Sequence, residues 1–192
     1  SVLRLAVEHE FFVVEDDVYG DFSPAVRQTF AELDNLDRVI YIGSFSKCLS
    51  ASLRVGFIAC SQDLIEPLTR LKLLTCVAVP AFCERFVNTI LSDGTYARHM
   101  KDVQQRLIRQ QVQTQRLLLE RGWQFDIAPQ GGMFLWVYHP DLPDLQPFMR
   151  KLEQHKILLM PGSAFAVSRD YRRYTRINCT HFSDALAEHF DV

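Results

Sequence analysis

A lysine set between small hydroxyl residues at the end of an apolar run is a reactive arrangement. In YIGSFSKCLSASLRVGFIAC, residues 41–60, Ser44 and Ser46 precede Lys47, and Arg54 follows before a second apolar run. Hydroxyls and a guanidinium suit an anion, phosphate first among them. A nearby cation together with burial favours a neutral amine, and a neutral lysine is a nucleophile toward a carbonyl carbon. A second stretch, EDDVYGDFSP, puts Asp16 and Asp17 just after another apolar run, with Tyr19 three residues beyond Asp16. Each residue also has a plain reading. An Asp after a strand commonly caps a turn, an isolated loop lysine is usually solvated, and a lone tyrosine is usually packing.

The elements around these residues decide how they meet. Residues 3–9 read as the end of a helix. Residues 11–14 form a short continuous apolar run, as expected of a strand buried on both faces. Residues 39–42 and 54–60 read as the next strands, and loops or helices between them predict an α/β layout. Ligands of open α/β sheets sit beyond the carboxyl ends of the strands. That rule brings Asp16 and Lys47 to one edge.

From Asp63 the pattern turns helical. SQDLIEPLTRLKLL opens on a Ser/Asp cap signal with Pro67 near its start, and PAFCERFVNTILSDG is a helix closed by Gly94. Residues 96–121 form a long helix with Met100, Val103 and Leu107 as its apolar stripe and Gly122 at its end. Its basic residues, Arg98 to Arg121, read as a solvated face because acids elsewhere balance them and no aromatics interleave. In WQFDIAPQGGMFLWVYHP two short strands flank a Pro-x-Gly-Gly turn, where Gly131 and Gly132 serve the turn. Residues 147–156 are helical, ILLMPGSAF is a strand and loop, RYTRINCT is a final strand, and Ser183 caps a last short helix. The expected organisation is a large-domain part over 1–95, a connecting helix over 96–121 and a small α+β domain over 122–192.

The combination at one strand edge narrows the chemistry. A lysine for a Schiff base, an acid for a pyridinium nitrogen, and hydroxyls with an arginine for a phosphate are the groups that pyridoxal phosphate needs. EDDVYGDF, SFSKCLSASLRVGF, PQGGMFLWV and YTRINCT together make the chain resemble the fold-type I pyridoxal-phosphate enzymes, in particular the class I/II aminotransferases. It is most similar to the aminotransferase-like domain of MocR-type members of the GntR regulator family, with the aminoadipate and kynurenine aminotransferases close behind.

The resemblance implies roles. Lys47 carries the Schiff base and shuttles a proton. Asp16, rather than Asp17, pairs with the ring nitrogen. Tyr19 hydrogen-bonds the cofactor's phenolic oxygen. Ser44, Ser46 and Arg54 hold the phosphate, and Arg176, in YTRINCT, binds a substrate carboxylate through a bidentate fork. It also implies the C-terminal part of a mostly parallel large-domain sheet with helices, followed by a small α+β domain. The family's first half of the large domain, with its phosphate loop, stacking aromatic and asparagine, has no counterpart in these residues. A chain opening inside a domain would expose a strand edge, which predicts self-association or a retained partner fragment, and the family default is a homodimer. A MocR-type protein would contact DNA only through a winged helix-turn-helix ahead of this segment.

Composition bounds the alternatives. The chain has 192 residues, 48% of them hydrophobic and 23% charged, with a formal net charge of −2. It can build a core, and it has no electrostatic footprint for nucleic acid or an anionic membrane. The five cysteines include no C-x-x-C pair, which points to free thiols in the cytoplasm and to no metal site. Three functions follow: the effector domain of a regulator that binds an amino acid or amine, a stand-alone aminotransferase, and a structural copy without cofactor. The first is preferred on texture. Intact Lys47, Asp16, Tyr19 and Arg54 count against the last.

Overall fold

The computed structural model describes residues 2–25, 27–127, 131–167 and 170–192. The chain divides into two compact units, Ser1–Asp102 and Val103–Val192.

The first unit opens with helix α1 (Val2–Glu8) and strand β1 (Val13–Asp16). Helix α2 (Phe30–Asp34) leads to β2 (Val39–Ser44) and β3 (Gly56–Ala59). Helices α3 (Gln62–Thr75), α4 (Ala81–Ser92) and α5 (Thr95–Leu119) follow. The sheet order is β1-β2-β3. β1 and β2 run parallel, with Asp16 opposite Ile42, and β3 returns antiparallel, with Gly56 opposite Ser44. The parallel step works because α2 fills the crossover. Its start is fixed by acceptors: Thr29 Oγ1 takes the Glu32 N–H at 3.0 Å, and the Glu15 carboxylate takes Phe30 N–H at 3.1 Å and Ala31 N–H at 3.0 Å. A carboxylate at a helix N-terminus also complements the helix dipole.

Several expectations shift here. Only one of the two strand pairs is parallel. β1 is an edge strand, and Phe11, Phe12 and Val14 keep 40%, 45% and 59% of their surface, so the apolar run is not buried on both faces within this unit. Ser61 occupies the N-cap of α3, but its side chain makes no capping bond. Pro67 is accommodated inside α3 rather than in its first turn.

The second unit takes over within α5, where Leu107, Leu117 and Leu118 are buried. It continues through β4 (Phe134–Tyr138), α6 (Gln146–Gln154), β5 (Met160–Pro161), β6 (Tyr174–Asn178) and α7 (Asp184–Ala187). Its antiparallel sheet has the order β4-β6-β5. The two-residue side-chain period sorts the faces. Leu135, Val137, Thr175 and Ile177 point into the core with Trp123 and Phe182. Phe134, Trp136 and Arg176 take the other face. Trp123 is wholly buried and donates its indole N–H to the Phe190 carbonyl at 3.0 Å.

The strand expected before the Gly-Gly turn is reduced to a single bridge, Gln124 to Tyr138. Pro129 and Gln130 of that turn lie outside the described residues, whereas Gly132 has φ +84°, the left-handed region glycine tolerates. ILLMPGSAF contributes only the short β5 and a 3-10 turn, Gly162–Phe165. Ser183 caps α7 as expected, accepting from the Leu186 N–H at 3.2 Å. Among the described residues no helix is long and apolar enough to cross a membrane.

Candidate active site

Backbone pairing brings most of the expected residues of the first unit to one sheet edge. Asp16 is the last residue of β1 and Ser44 the last of β2. The loop after Ser44 stays in register for one more step, because the Phe45 N–H donates to the Val55 carbonyl at 3.0 Å. Arg54, next to Val55, therefore enters β3 at the same edge where β2 ends. Two glycines permit the close approach of β2 and β3. A Cβ on Gly56 would stand 2.9 Å from the Gly43 carbonyl oxygen, and one on Gly43 would stand 2.4 Å from the Phe57 ring.

Within the loop, Ser44 Oγ accepts from the Ser46 N–H at 3.2 Å, which closes a tight turn immediately before Lys47. Ser50 caps the following 3-10 turn, and Arg54 ends it with φ +52°, in the left-handed region. A non-glycine residue there carries local strain, which is typical of functional loops. Lys47 and Arg54 are exposed. The Lys47 ammonium lies 5.9 Å from the centroid of the Tyr19 ring, within cation–π range.

The two neighbouring acids have different surroundings. Asp16 is exposed, and its contact is a long 3.4 Å approach from the Val18 N–H. The Asp17 side chain is only 9% exposed; it pairs with Arg27 and accepts the Tyr41 hydroxyl at 2.8 Å. Burial, and then the hydrogen bond to Asp17, push the Tyr41 phenol up to about 12. The Arg27 guanidinium is held above its ordinary value, chiefly by its bond to Asp17. Asp17 is thus committed to the fold of the loop, while Asp16 is presented outward.

This donor set fits pyridoxal phosphate. It offers an amine for an aldehyde, a carboxylate for a protonated ring nitrogen, and hydroxyls with a guanidinium for a phosphate dianion.

Arg176 belongs to the second unit, on β6 opposite Trp136 and Met160. Its guanidinium carbon lies 4.2 Å from the Phe134 ring centroid and 4.8 Å from that of Phe165. Rings against a guanidinium restrict its swing and leave its in-plane N–H groups to meet a carboxylate. Phe165 is delivered by the 3-10 turn that Gly162 opens. A Cβ on Gly162 would stand 2.4 Å from the Tyr171 carbonyl oxygen, so the turn depends on that glycine.

Sequence reading missed the supporting groups: Tyr41 and Arg27 for Asp17, Phe134 and Phe165 for Arg176, and Tyr96 and His99 beside the lysine turn. Tyr41 carried a faint signal, as a polar-tipped residue in an apolar strand. Cys179 is fully buried, in keeping with a packing role. Among the described residues no group of three or more His, Cys, Asp or Glu could hold a metal ion.

Residues 1–190 match the family described as aminotransferase class I and II. The chain belongs to that family. Pyridoxal phosphate is the cofactor that this membership brings. Among curated proteins it is 30% identical over 185 residues to the uncharacterized HTH-type transcriptional regulator YjiR of Escherichia coli, covering 93% of this chain and 39% of that protein. It is 28% identical over 185 residues to aromatic-amino-acid aminotransferase 1 of Thermococcus litoralis, covering 94% of this chain and 44% of that one. Among solved structures, the kynurenine aminotransferase of Pyrococcus horikoshii, in complex with PMP, superposes with a TM-score of 0.87 at 28% identity, over 99% of this chain and 48% of that one. The chain therefore spans less than half the length of these relatives. Its fold is that of fold-type I aminotransferases, and its relatives include both HTH regulators and aminotransferases.

Proposed function

We propose that the chain is the lysine-bearing portion of a pyridoxal-phosphate-dependent domain that binds an amino acid or amine, and that it serves as the effector domain of a MocR-type regulator of the GntR family. The observation that carries this reading is the edge where Asp16, Ser44, Lys47 and Arg54 converge at the ends of β1 and β2. Bound pyridoxal phosphate supplies an aldehyde that condenses with amines and a ring that withdraws electrons.

The chain's own residues have distinct tasks in this reading. Lys47 anchors the cofactor through Nζ and, once released, moves a proton at that atom. Asp16 keeps the ring nitrogen protonated by its negative charge. Tyr19 donates to the phenolic oxygen. Ser44, Ser46 and Arg54 bind the phosphate, and Arg176 orients a ligand by its carboxylate. The working unit is a homodimer, and DNA is contacted through a helix-turn-helix outside this chain. The free state of all five cysteines supports a reducing, cytoplasmic setting.

The regulator reading rests on the 30% identity to YjiR over 93% of the chain. A stand-alone aminotransferase is the second reading, favoured by the 28% identity to the Thermococcus litoralis enzyme over 94% of the chain. The test is borohydride reduction of the intact protein with pyridoxal phosphate, followed by peptide mapping. Attachment at Lys47, lost in Lys47→Ala, is expected. Attachment elsewhere refutes the assignment of Lys47, and no attachment at all favours the structural copy without cofactor. Turnover of an amino acid with a 2-oxo acid would then select the enzyme over the regulator.

A further inference from the structure

The turn that carries Lys47 is gripped from outside by the first turns of α5. His99 Nε2 lies 2.9 Å from the Cys48 carbonyl oxygen. A carbonyl only accepts, so Nε2 carries the proton and His99 is the donor. The Cys48 thiol is buried, donates toward the Ser44 carbonyl at 3.4 Å, and touches the Tyr96 hydroxyl oxygen at 3.1 Å. That hydroxyl in turn donates to the Asp21 carboxylate. The Tyr96 ring stands edge-on to Phe45 with centroids 5.6 Å apart. Residues 45 and 48, on either side of Ser46 and Lys47, are thus held by helix residues one turn apart.

The Cys48 carbonyl lies in the rigid peptide plane that leaves Cys48, so fixing it fixes the Cys48 Cα, the corner shared with the peptide that leaves Lys47. The lysine needs that help. Its side chain is exposed, and its ring contact is with Tyr19 of the loop after β1, at 5.9 Å. A long, flexible stem gives accurate placement of Nζ only if its Cα is held.

We infer that His99 and Tyr96 are positioning residues for Lys47, His99 through the Cys48 carbonyl and Tyr96 through the Cys48 side chain and Asp21. This role rests on Lys47 being the attachment residue.

The test is the rate of reductive attachment of pyridoxal phosphate to Lys47 in the intact protein, read by peptide mapping beside the visible absorption of the bound cofactor. In the attachment, the Lys47 amine adds to the aldehyde with loss of water, and borohydride delivers hydride to the new C=N carbon. His99→Leu removes the donor, and about a tenfold slower attachment is expected, the size of one lost hydrogen bond on a placed group. His99→Gln restores an N–H at similar reach and should recover most of the rate. Tyr96→Phe keeps the ring and loses the hydroxyl; it should slow attachment about threefold, within the range of one neutral hydrogen bond, and speed modification of Cys48 by a thiol reagent. A merely structural role would lower thermal stability equally in His99→Leu and His99→Gln without separating their rates. Wild-type rates in His99→Leu, or no rescue in His99→Gln, overturn the positioning role while leaving Lys47 in place. No attachment at Lys47 in the wild type overturns both.

Discussion

Substituting the paired acids one at a time separates the fold of the loop from its chemistry. Asp17→Asn keeps the shape and an acceptor for the Tyr41 hydroxyl, but removes the charge that Arg27 faces. The Asp17 side chain is 9% exposed and that of Arg27 49% exposed, so solvent screens one partner and not the other. A charge-assisted hydrogen bond contributes roughly 1.5–3 kcal/mol and an exposed pair well under 1. The half-exposed geometry lies between, at a loss of about 1–2 kcal/mol, or about 2–8 °C in Tm for a chain of this size. Asp16→Asn alters an exposed side chain with one long contact, so its stability should stay within about 0.5 kcal/mol of wild type. Affinity for pyridoxal phosphate should behave oppositely, falling at least about tenfold in Asp16→Asn because the ring nitrogen loses its counter-charge, and changing far less in Asp17→Asn. Thermal unfolding without cofactor and spectral titration with it give the two axes. Equal effects of both variants on both axes would refute the division of labour between the acids.

Two further outcomes follow from single contacts in the structure. The Tyr41 phenol is raised to about 12 in the folded chain, against about 10 for an unperturbed tyrosine. A raised folded value means the folded state holds its proton longer, so this contribution is complete below about pH 10 and is lost as pH climbs toward 12. The difference in stability between wild type and Tyr41→Phe should therefore shrink between those values, and a difference that is flat with pH would contradict the contact. In the second unit, Trp123→Phe strands the Phe190 carbonyl and opens space in a closed core. A loss of about 2–4 kcal/mol is expected, seen as a lower urea midpoint at unchanged slope.

Chemistry was easier to read from sequence than architecture was. Asp16, Lys47 and Arg54 declare themselves by residue type at the ends of apolar runs, and strand ends are where an α/β sheet gathers its ligands. Register then turns linear spacing into proximity: Asp16 lies opposite Ile42, and Ser44 opposite Gly56. The antiparallel return of β3 was not legible, because an apolar run carries no direction. The run at 11–14 implied cover on both faces, yet burial depends on neighbours that no local pattern contains, and Val14 stays 59% exposed. Helices α1 and α3 to α6 lie within about two residues of where periodicity and the glycine stops of α4 and α5 put them, whereas the short α2 was not anticipated. ILLMPGSAF, read as a strand and a loop, keeps only Met160–Pro161 as strand, and its loop is a 3-10 turn that Gly162 opens under the Tyr171 carbonyl, a close approach visible only in three dimensions.

The residues that escaped sequence reading share one physical property: they act through another residue. Arg27 and Tyr41 act on Asp17, His99 and Tyr96 on Cys48, Phe134 and Phe165 on Arg176. Each makes its contact at a sequence separation that only the fold sets, such as the 51 residues between Cys48 and His99. Reactive groups are constrained by their own chemistry and so are recognisable by type. A supporting group needs only a donor, an acceptor or a flat ring at the right place, and many residue types provide those. The first unit buries few apolar side chains, and α3 buries none. Its reactive loop is consequently held by polar links more than by a core. Such links lose geometry sharply when one atom is removed, so point changes at Tyr96 and His99 should disturb the loop more than conservative changes of its apolar neighbours.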